Sequence, residues 1–526
     1  MRTFRYFLGV SLISTVSLAL GACGGGSNPP TTQTSAPGQA AFDLVQNGLV
    51  GHAPPNPPAQ VSPVTAADVA AARAGGWRRV TSTAPFGANG AGTALLMTDG
   101  TVMIQDNGAR WFALTPDLNG SYVNGTWTKK ASLPAGYGPL YFASAVLADG
   151  KLIVNGGEYN FGAQVESNLG AIYDPVADAW SKVAAPTGWA QIGDAQSTVL
   201  NDGTYMLGNC CTKAQALFNE TTKTFSLTGS GKRDSNSEEG WTLLANGKVL
   251  AADVGSQPNS ELYDASSGSW SPAGSLPGNL TQAFEIGPQT LRPDGTVFVA
   301  GANKNTAIYH TASGAWSAGP AFPIVKGKQL DSADGPTSVL ANGSVLIPLS
   351  PGVYKTPVSF YIFDGNTFTS IAGTPGAKND STYNLRLLLL PTGQVLETNG
   401  SNDVEIYTPN VAPDQSIAPS ISAVPSTISH GNTYTVSGLR FNGFTQANAY
   451  GDDAQAATNY PLVEIVNAAT GHVFFARTHD HSSMAVASQA AVSTRFDVPS
   501  GIELGASKLF VIANGIKSTP VSVTVN

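Results

Sequence analysis

Thr198-Val199-Leu200-Asn201-Asp202-Gly203-Thr204-Tyr205-Met206-Leu207-Gly208 reads as an apolar strand, an Asp-Gly turn and a second apolar strand. An Asx-Gly pair between two apolar runs is the strongest short-range hairpin signal, because both turn residues must tolerate positive φ. The same hairpin is written at Asp99-Gly100, Asp149-Gly150, Asn246-Gly247, Asp294-Gly295 and Asn342-Gly343, with a weaker copy at Thr392-Gly393. The copies are spaced about 44 to 53 residues apart. A period of that length makes the chain an internal repeat, so the local reading follows from the repeat.

After most hairpins comes a third apolar run ending in an aromatic residue and a turn, then a fourth run carrying Trp. Ala171-Ile172-Tyr173-Asp174 leads to Trp180, Glu261-Leu262-Tyr263-Asp264 to Trp270, and Ala307-Ile308-Tyr309-His310 to Trp316. Four strands per unit and a Gly156-Gly157 pair resemble the kelch-type propeller blade, so seven hairpins predict seven blades. The seventh unit lacks its Trp strand, and an unmatched one, Trp77-Arg78-Arg79-Val80, precedes the first hairpin. Pairing the two closes the ring and buries edge strands that would otherwise be open to aggregation. From about Pro419 short alternating strands bounded by Gly, Asn and Pro predict an immunoglobulin-like sandwich. The expected fold class is all-β throughout.

The flanking stretch is of another kind. Arg2 and Arg5, an apolar run from Phe7 to Leu20 and the ending Leu20-Gly21-Ala22-Cys23 read as a secretory signal. Its end resembles a bacterial lipoprotein box, which implies lipidation of Cys23 and, with Gly24 following, an outer-membrane or cell-surface anchor. Residues 24–63, rich in Gly, Pro, Ser and Thr, are expected to be a flexible tether. Residues 64–410 are assigned to the propeller and 418–526 to the sandwich. A capped helix is expected from Thr65 to Arg73. The net charge of −8 supplies no basic footprint for nucleic acid. The membrane, reached through Cys23, is the expected partner of what reads as a monomer.

A seven-bladed kelch propeller followed by a small sandwich resembles galactose oxidase and its glyoxal oxidase-like relatives, the second part resembling their early-set C-terminal domain. The resemblance runs from about Trp77 to the end and includes Asp403-Val404-Glu405-Ile406-Tyr407-Thr408-Pro409-Asn410. It implies a copper ion on the axis, a Cys joined to a radical-bearing Tyr, a Tyr-His pair in the last blade and a second His from the C-terminal domain. Here the Cys position falls on or near Tyr141, the radical Tyr position on Asp194, and the Tyr-His pair reads Tyr383-Asn384. Thr478-His479-Asp480-His481-Ser482 resembles the His loop, which leaves Tyr383 and His481 as the candidate metal ligands. Two-electron oxidation with a single copper needs the protein radical, and the Cys-Tyr pair that carries it is missing.

The equivalent positions are largely acidic: Asp194, Glu238, Glu239, Glu285, Asp331 and Asp334, with Asn384 and Arg386 opening the seventh unit. Converging on one funnel, these carboxylates require a cation, shared protons or Arg386 as partner. Hard oxygen ligands suit calcium or magnesium, the added histidines extend the choice to zinc or manganese, and copper fits less well. The other reading is that they hydrogen-bond the exposed backbone ends of the inner strands. Adjacent Cys210-Cys211 in an exported chain predict a vicinal disulfide, with two free thiols the alternative. Two functions follow. One is a tethered protein binding a ligand, a glycan or other small molecule, through Tyr141, Glu238, Asp331, Asn384, Arg386 and His479. The other is a metal-assisted hydrolase or lyase, or less readily a variant copper oxidase, using Asp194, Glu239, Glu285, Asp334, Tyr383 and His481.

Overall fold

A computed structural model describes residues 62–451 and 456–526. The signal stretch with Cys23 and nearly all of the tether lie outside the described residues. Among those described, no helix is long and apolar enough to cross a membrane. The helix Ala66–Ala74 carries the expected cap: Thr65 and Asp68 bond each other's backbone N–H reciprocally.

The rest is nearly all β. Six four-stranded antiparallel meanders follow one another in chain order, their inner strands at Ala94–Leu96, Ala143–Val146, Ser197–Val199, Trp241–Leu243, Gln289–Leu291 and Thr337–Val339. A seventh sheet has the inner strand Arg386–Leu389 and takes its outer strand from the other end of the chain: Trp77–Arg79 pairs with Glu405–Tyr407, Trp77 opposite Tyr407. Inner strands of successive sheets are neighbours, the fifth and sixth meeting through the Thr290 and Thr337 hydroxyls (2.6 Å), and that of the seventh lies beside that of the first. The arrangement is propeller-like.

The repeat explains the packing. Each turn glycine is left-handed, for example Gly150 at φ 81° and Gly203 at φ 91°, but the Asx before it is not among the left-handed residues. These are three-residue loops with glycine in the third place, which corrects the expectation that both Asx and Gly have positive φ. The Asx side chain instead accepts the N–H two residues on: Asp149 Oδ1 from Lys151 (2.9 Å), Asp202 Oδ1 from Thr204 (2.9 Å). On the outer strands each repeat Trp stands opposite the repeat Tyr, with Tyr173–Trp180 centroids 5.1 Å apart and Tyr309–Trp316 5.0 Å. The indole N–H then reaches the previous sheet, as Trp180 Nε1 does to Ala131 O (2.9 Å). Trp111 and Trp241 are buried in this packing.

Beyond residue 418, strands surround one core that includes Val436, Phe441, Ile465, Phe496, Val511 and Val523. Strand Val473–His479 pairs with Leu462–Asn467 through its first half and with Ala491–Asp497 through its last residues, so it joins two sheet halves. This unit meets the turn ends of the propeller-like sheets: the N–H of Thr478 donates to Thr98 O (3.1 Å), that of His481 to Ala148 O (3.1 Å) and that of Met484 to Asn201 O (2.9 Å).

One segment of the unit leaves it and runs along the inner strands. Asn448–Ala449 pairs with Thr337–Ser338 as a fifth strand on the sixth sheet. Gln446 Oε1 accepts the N–H of Leu243 (2.9 Å), and Asn448 Oδ1 accepts that of Leu389 (2.9 Å). The Tyr460 hydroxyl donates to Leu96 O near the turn ends, while the Tyr450 hydroxyl donates to Tyr383 O at the opposite ends. The segment plugs the space that the inner strands enclose.

Candidate functional site

Each inner strand runs from a leading end to its Asx-Gly turn. At six leading ends stands a left-handed residue: Gly90, Tyr141, Gly193, Glu238, Phe284 and Asp334, at φ between 48° and 74°. Tyr141, Glu238, Phe284 and Asp334 are not glycine, and a non-glycine residue there costs about 1–2 kcal/mol. Strain repeated at one structural level marks that level as the place to look for function.

Two groups of side chains occupy it. In the first, Glu285 accepts the Tyr354 hydroxyl and shares a hydrogen bond with Glu238. Burial lifts Glu285 up to about 7, against the opposing effect of those two bonds. Burial first, then Glu285, Asp334 and Glu238, hold the Tyr354 hydroxyl in its neutral form. Tyr354 packs edge-on against Tyr383 at 4.9 Å. A Cβ on Gly451 would come within 2.6 Å of Asp334 Oδ1, so the plug is seated against that carboxylate. Asp194 acts electrostatically on Tyr159, whose hydroxyl bonds Glu158.

The second group centres on Arg386, buried to 8 % exposure. Its Nη1 donates to Tyr383 O (2.8 Å) and Leu385 O (2.9 Å). The guanidinium lies 3.8 Å from the Tyr450 ring centroid and 5.7 Å from that of Tyr141. A slot of about 20 Å³ opens beside it, lined by Gly92, Asn107, Leu140, Tyr141, Asn384, Arg386 and Gly400. That volume holds a group about the size of one water.

The sequence-predicted residues divide accordingly. Tyr141, Asn384 and Arg386 come together at the slot, and Glu238, Glu285, Asp334 and Tyr383 form the acidic-tyrosine group. Asp331 turns to its own loop, accepting the N–H of Ala333 (3.2 Å), and burial pushes it up to about 7. Glu239 is a correction: following the left-handed Glu238, it faces Lys232 Nζ at 2.8 Å and does not join the acidic-tyrosine group. The histidines are a second correction. His481 is bound at Ala148, beside a turn, at the opposite end of strand Ala143–Val146 from the leading residue Tyr141. Burial pushes its imidazole down to about 3, and its ring lies parallel to Tyr460 at 6.2 Å. His479 pairs with Asp497 (3.1 Å) and Asp480 (3.0 Å). The left-handed Asp480, φ 51°, ends the strand between the two rings, so they do not chelate as strand neighbours. Neither histidine joins Tyr383, so the Tyr383–His481 metal pair does not form. Cys210 and Cys211 are joined to each other.

Copper of the radical type does not fit this donor set. The imidazoles stand at the turn ends, the Cys position carries Tyr141, and both cysteines of the described residues are bound to each other. Sequence reading missed Tyr159, Tyr354 and Tyr450, which lie outside the repeat hairpins. An Asn- and Gln-rich stretch from Asn442 to Asn459 was the available signal for the plug.

No model of a known protein family matches the chain. Over 91 residues it is 33 % identical to a kelch-like protein, terF, of Aspergillus terreus, covering 16 % of this chain and 18 % of that protein. The match thus spans less than a fifth of that relative. Among solved structures, a fungal alcohol oxidase of the AA5 family in complex with copper superposes with a TM-score of 0.46 at 14 % identity, covering 86 % of this chain and 98 % of the other. A catalytically inactive virginiamycin B lyase from Staphylococcus aureus superposes with a TM-score of 0.47 at 9 % identity, covering 63 % and 99 %.

Proposed function

We propose that this chain is a non-oxidase, galactose oxidase-like propeller lipoprotein that binds a ligand of the carbohydrate class at the leading ends of its inner strands. In this reading residues 64–410 form one closed ring of seven blades and residues 418–526 an immunoglobulin-like domain whose plug fills the axis. Lipidated Cys23 tethers the protein to the outer membrane or cell surface, with residues 24–63 as spacer.

The observation that carries the reading is the slot beside Arg386. A guanidinium and two amides, Asn107 and Asn384, offer donors to hydroxyl or carboxylate oxygens, and Tyr141 offers an aromatic wall. The slot admits one projecting group, so the body of the ligand rests on the outer surface. Screening the purified chain against neutral and acidic oligosaccharides tests it. A ligand found in that screen should bind Arg386→Ala about 10- to 100-fold more weakly, the loss expected for one charged hydrogen-bond donor. Arg386→Lys should recover part of that affinity. Unchanged affinity in both variants would place binding elsewhere.

A second reading rests on the Glu238–Glu285 pair. A carboxyl held near 7 beside another carboxylate is suited to general acid–base chemistry, as in a hydrolase or lyase. Turnover of a bound glycan that Glu285→Gln abolishes while binding persists would establish it; binding without turnover would dismiss it.

A further inference from the structure

A second cluster of carboxylates lies away from the leading ends, where the connection from the third sheet enters the fourth. Glu239, Asp253 and Glu261 each offer an oxygen within 4.8 Å of the others, and all three are buried. Asp253 directly follows the second strand of the fourth sheet, Val249–Ala252, and Glu261 lies in the third, Asn259–Asp264. Lys232 reaches in from the connection, its Nζ 2.8 Å from Glu239 Oε1 and 2.6 Å from Glu261 Oε2. The ammonium lies 4.8 Å from the Trp270 ring centroid.

The cluster is neither neutral nor satisfied. Nearby Asp234 is set apart, because the N–H groups of Ser235, Val254, Gly255 and Ser256 and the Ser256 hydroxyl all donate to it at 2.7–3.2 Å. Glu261 accepts the N–H of Arg233 (2.7 Å) as well as Lys232. Glu239 Oε2 and both oxygens of Asp253 accept nothing, although each residue is 0 % exposed. A buried polar atom with no partner costs about 1–3 kcal/mol, and more when it is charged. One lysine offsets one of the three remaining charges and leaves two.

We propose that Glu239, Asp253 and Glu261 form a buried calcium site, with Glu239 Oε2 and the Asp253 carboxylate as its free ligands. A divalent cation together with Lys232 balances the three carboxylates. The donors are all hard oxygens, which select calcium or magnesium over thiophilic metals. Size then decides between the two. Oxygens up to 4.8 Å apart can face one another across a calcium ion, whose bonds run about 2.3–2.6 Å. Magnesium, with bonds of about 2.0–2.1 Å, would require the cluster to contract. Calcium binding should tie the third sheet's connection to the fourth sheet. Through Glu239 it would also anchor its left-handed neighbour Glu238 in the acidic-tyrosine group.

The test uses the whole purified chain, stripped with chelator and then titrated with calcium. We expect one calcium per chain by elemental analysis, a rise in melting temperature, and sensitised terbium emission excited through Trp270. Asp253→Asn should abolish all three, yet melt no lower than the wild type in chelator, because it removes an unneutralised charge. Glu239→Gln gives the same comparison if Asp253→Asn does not fold. No calcium and no terbium signal in the wild type, or stoichiometric calcium in a folded variant, would overturn the proposal.

Discussion

Glu285 illustrates how one buried side chain sets a pH response. Its carboxyl is raised from 4.5 to about 7 by burial, so between those values the folded chain holds a proton that the unfolded chain has lost. Stability from this group is greatest below pH 4.5 and declines as pH rises through 7. Asp331 and Asp380, each lifted to about 7 by burial, act in the same sense. Glu285→Gln should therefore flatten part of the fall in melting temperature between pH 5 and 8, and be at least as stable as the wild type at pH 8. An unchanged slope would remove Glu285 as its source. The identity of the acids at the leading ends was legible in the sequence, but their partners were not. Glu238 and Glu239 are adjacent in the chain, yet one joins Glu285 and the other Lys232, because a left-handed backbone at Glu238 separates their directions.

At the scale of elements, the repeat was legible down to individual contacts. Asx-Gly turns, the Tyr–Trp pairs and the Trp77 strand all follow from local pattern, since each depends on residues within one unit or on a single unmatched strand. Trp77 is fully buried, stands opposite Tyr407, lies 5.1 Å from the Phe360 ring and donates its N–H to Ala372 O (2.8 Å). Trp77→Ala should cost about 3–5 kcal/mol, the usual penalty for removing a buried aromatic side chain, read from denaturant unfolding. A loss below about 1 kcal/mol would mean that the seventh sheet does not depend on its borrowed strand. The His479–His481 pair shows the opposite case. Its spacing suits chelation in an extended strand, but the strand stops at His479, and the rings find Asp497 and Thr494 instead.

The whole molecule is held together by a contact that no local pattern announces. The plug supplies acceptors to inner-strand N–H groups that face the axis and have no neighbour within their own sheet. Asn448 takes the N–H of Leu389 and donates to Ala456 O (2.9 Å). Asn448→Ala leaves both buried groups unpaired and should cost about 1–3 kcal/mol, with a single cooperative thermal transition. Two separate transitions would show that the C-terminal unit and the propeller-like sheets unfold independently. The sequence by itself determined the all-β class, the repeat, its turns and the strand shared between the chain's two ends. Periodic burial and turn chemistry act within a few residues, so they can be read there. Only the tertiary structure decided which carboxylates meet, that the histidines lie at the turn ends, and that Tyr450 reaches Arg386. Those outcomes depend on how far the C-terminal segment travels along the axis and on which way each buried charge turns to find a partner.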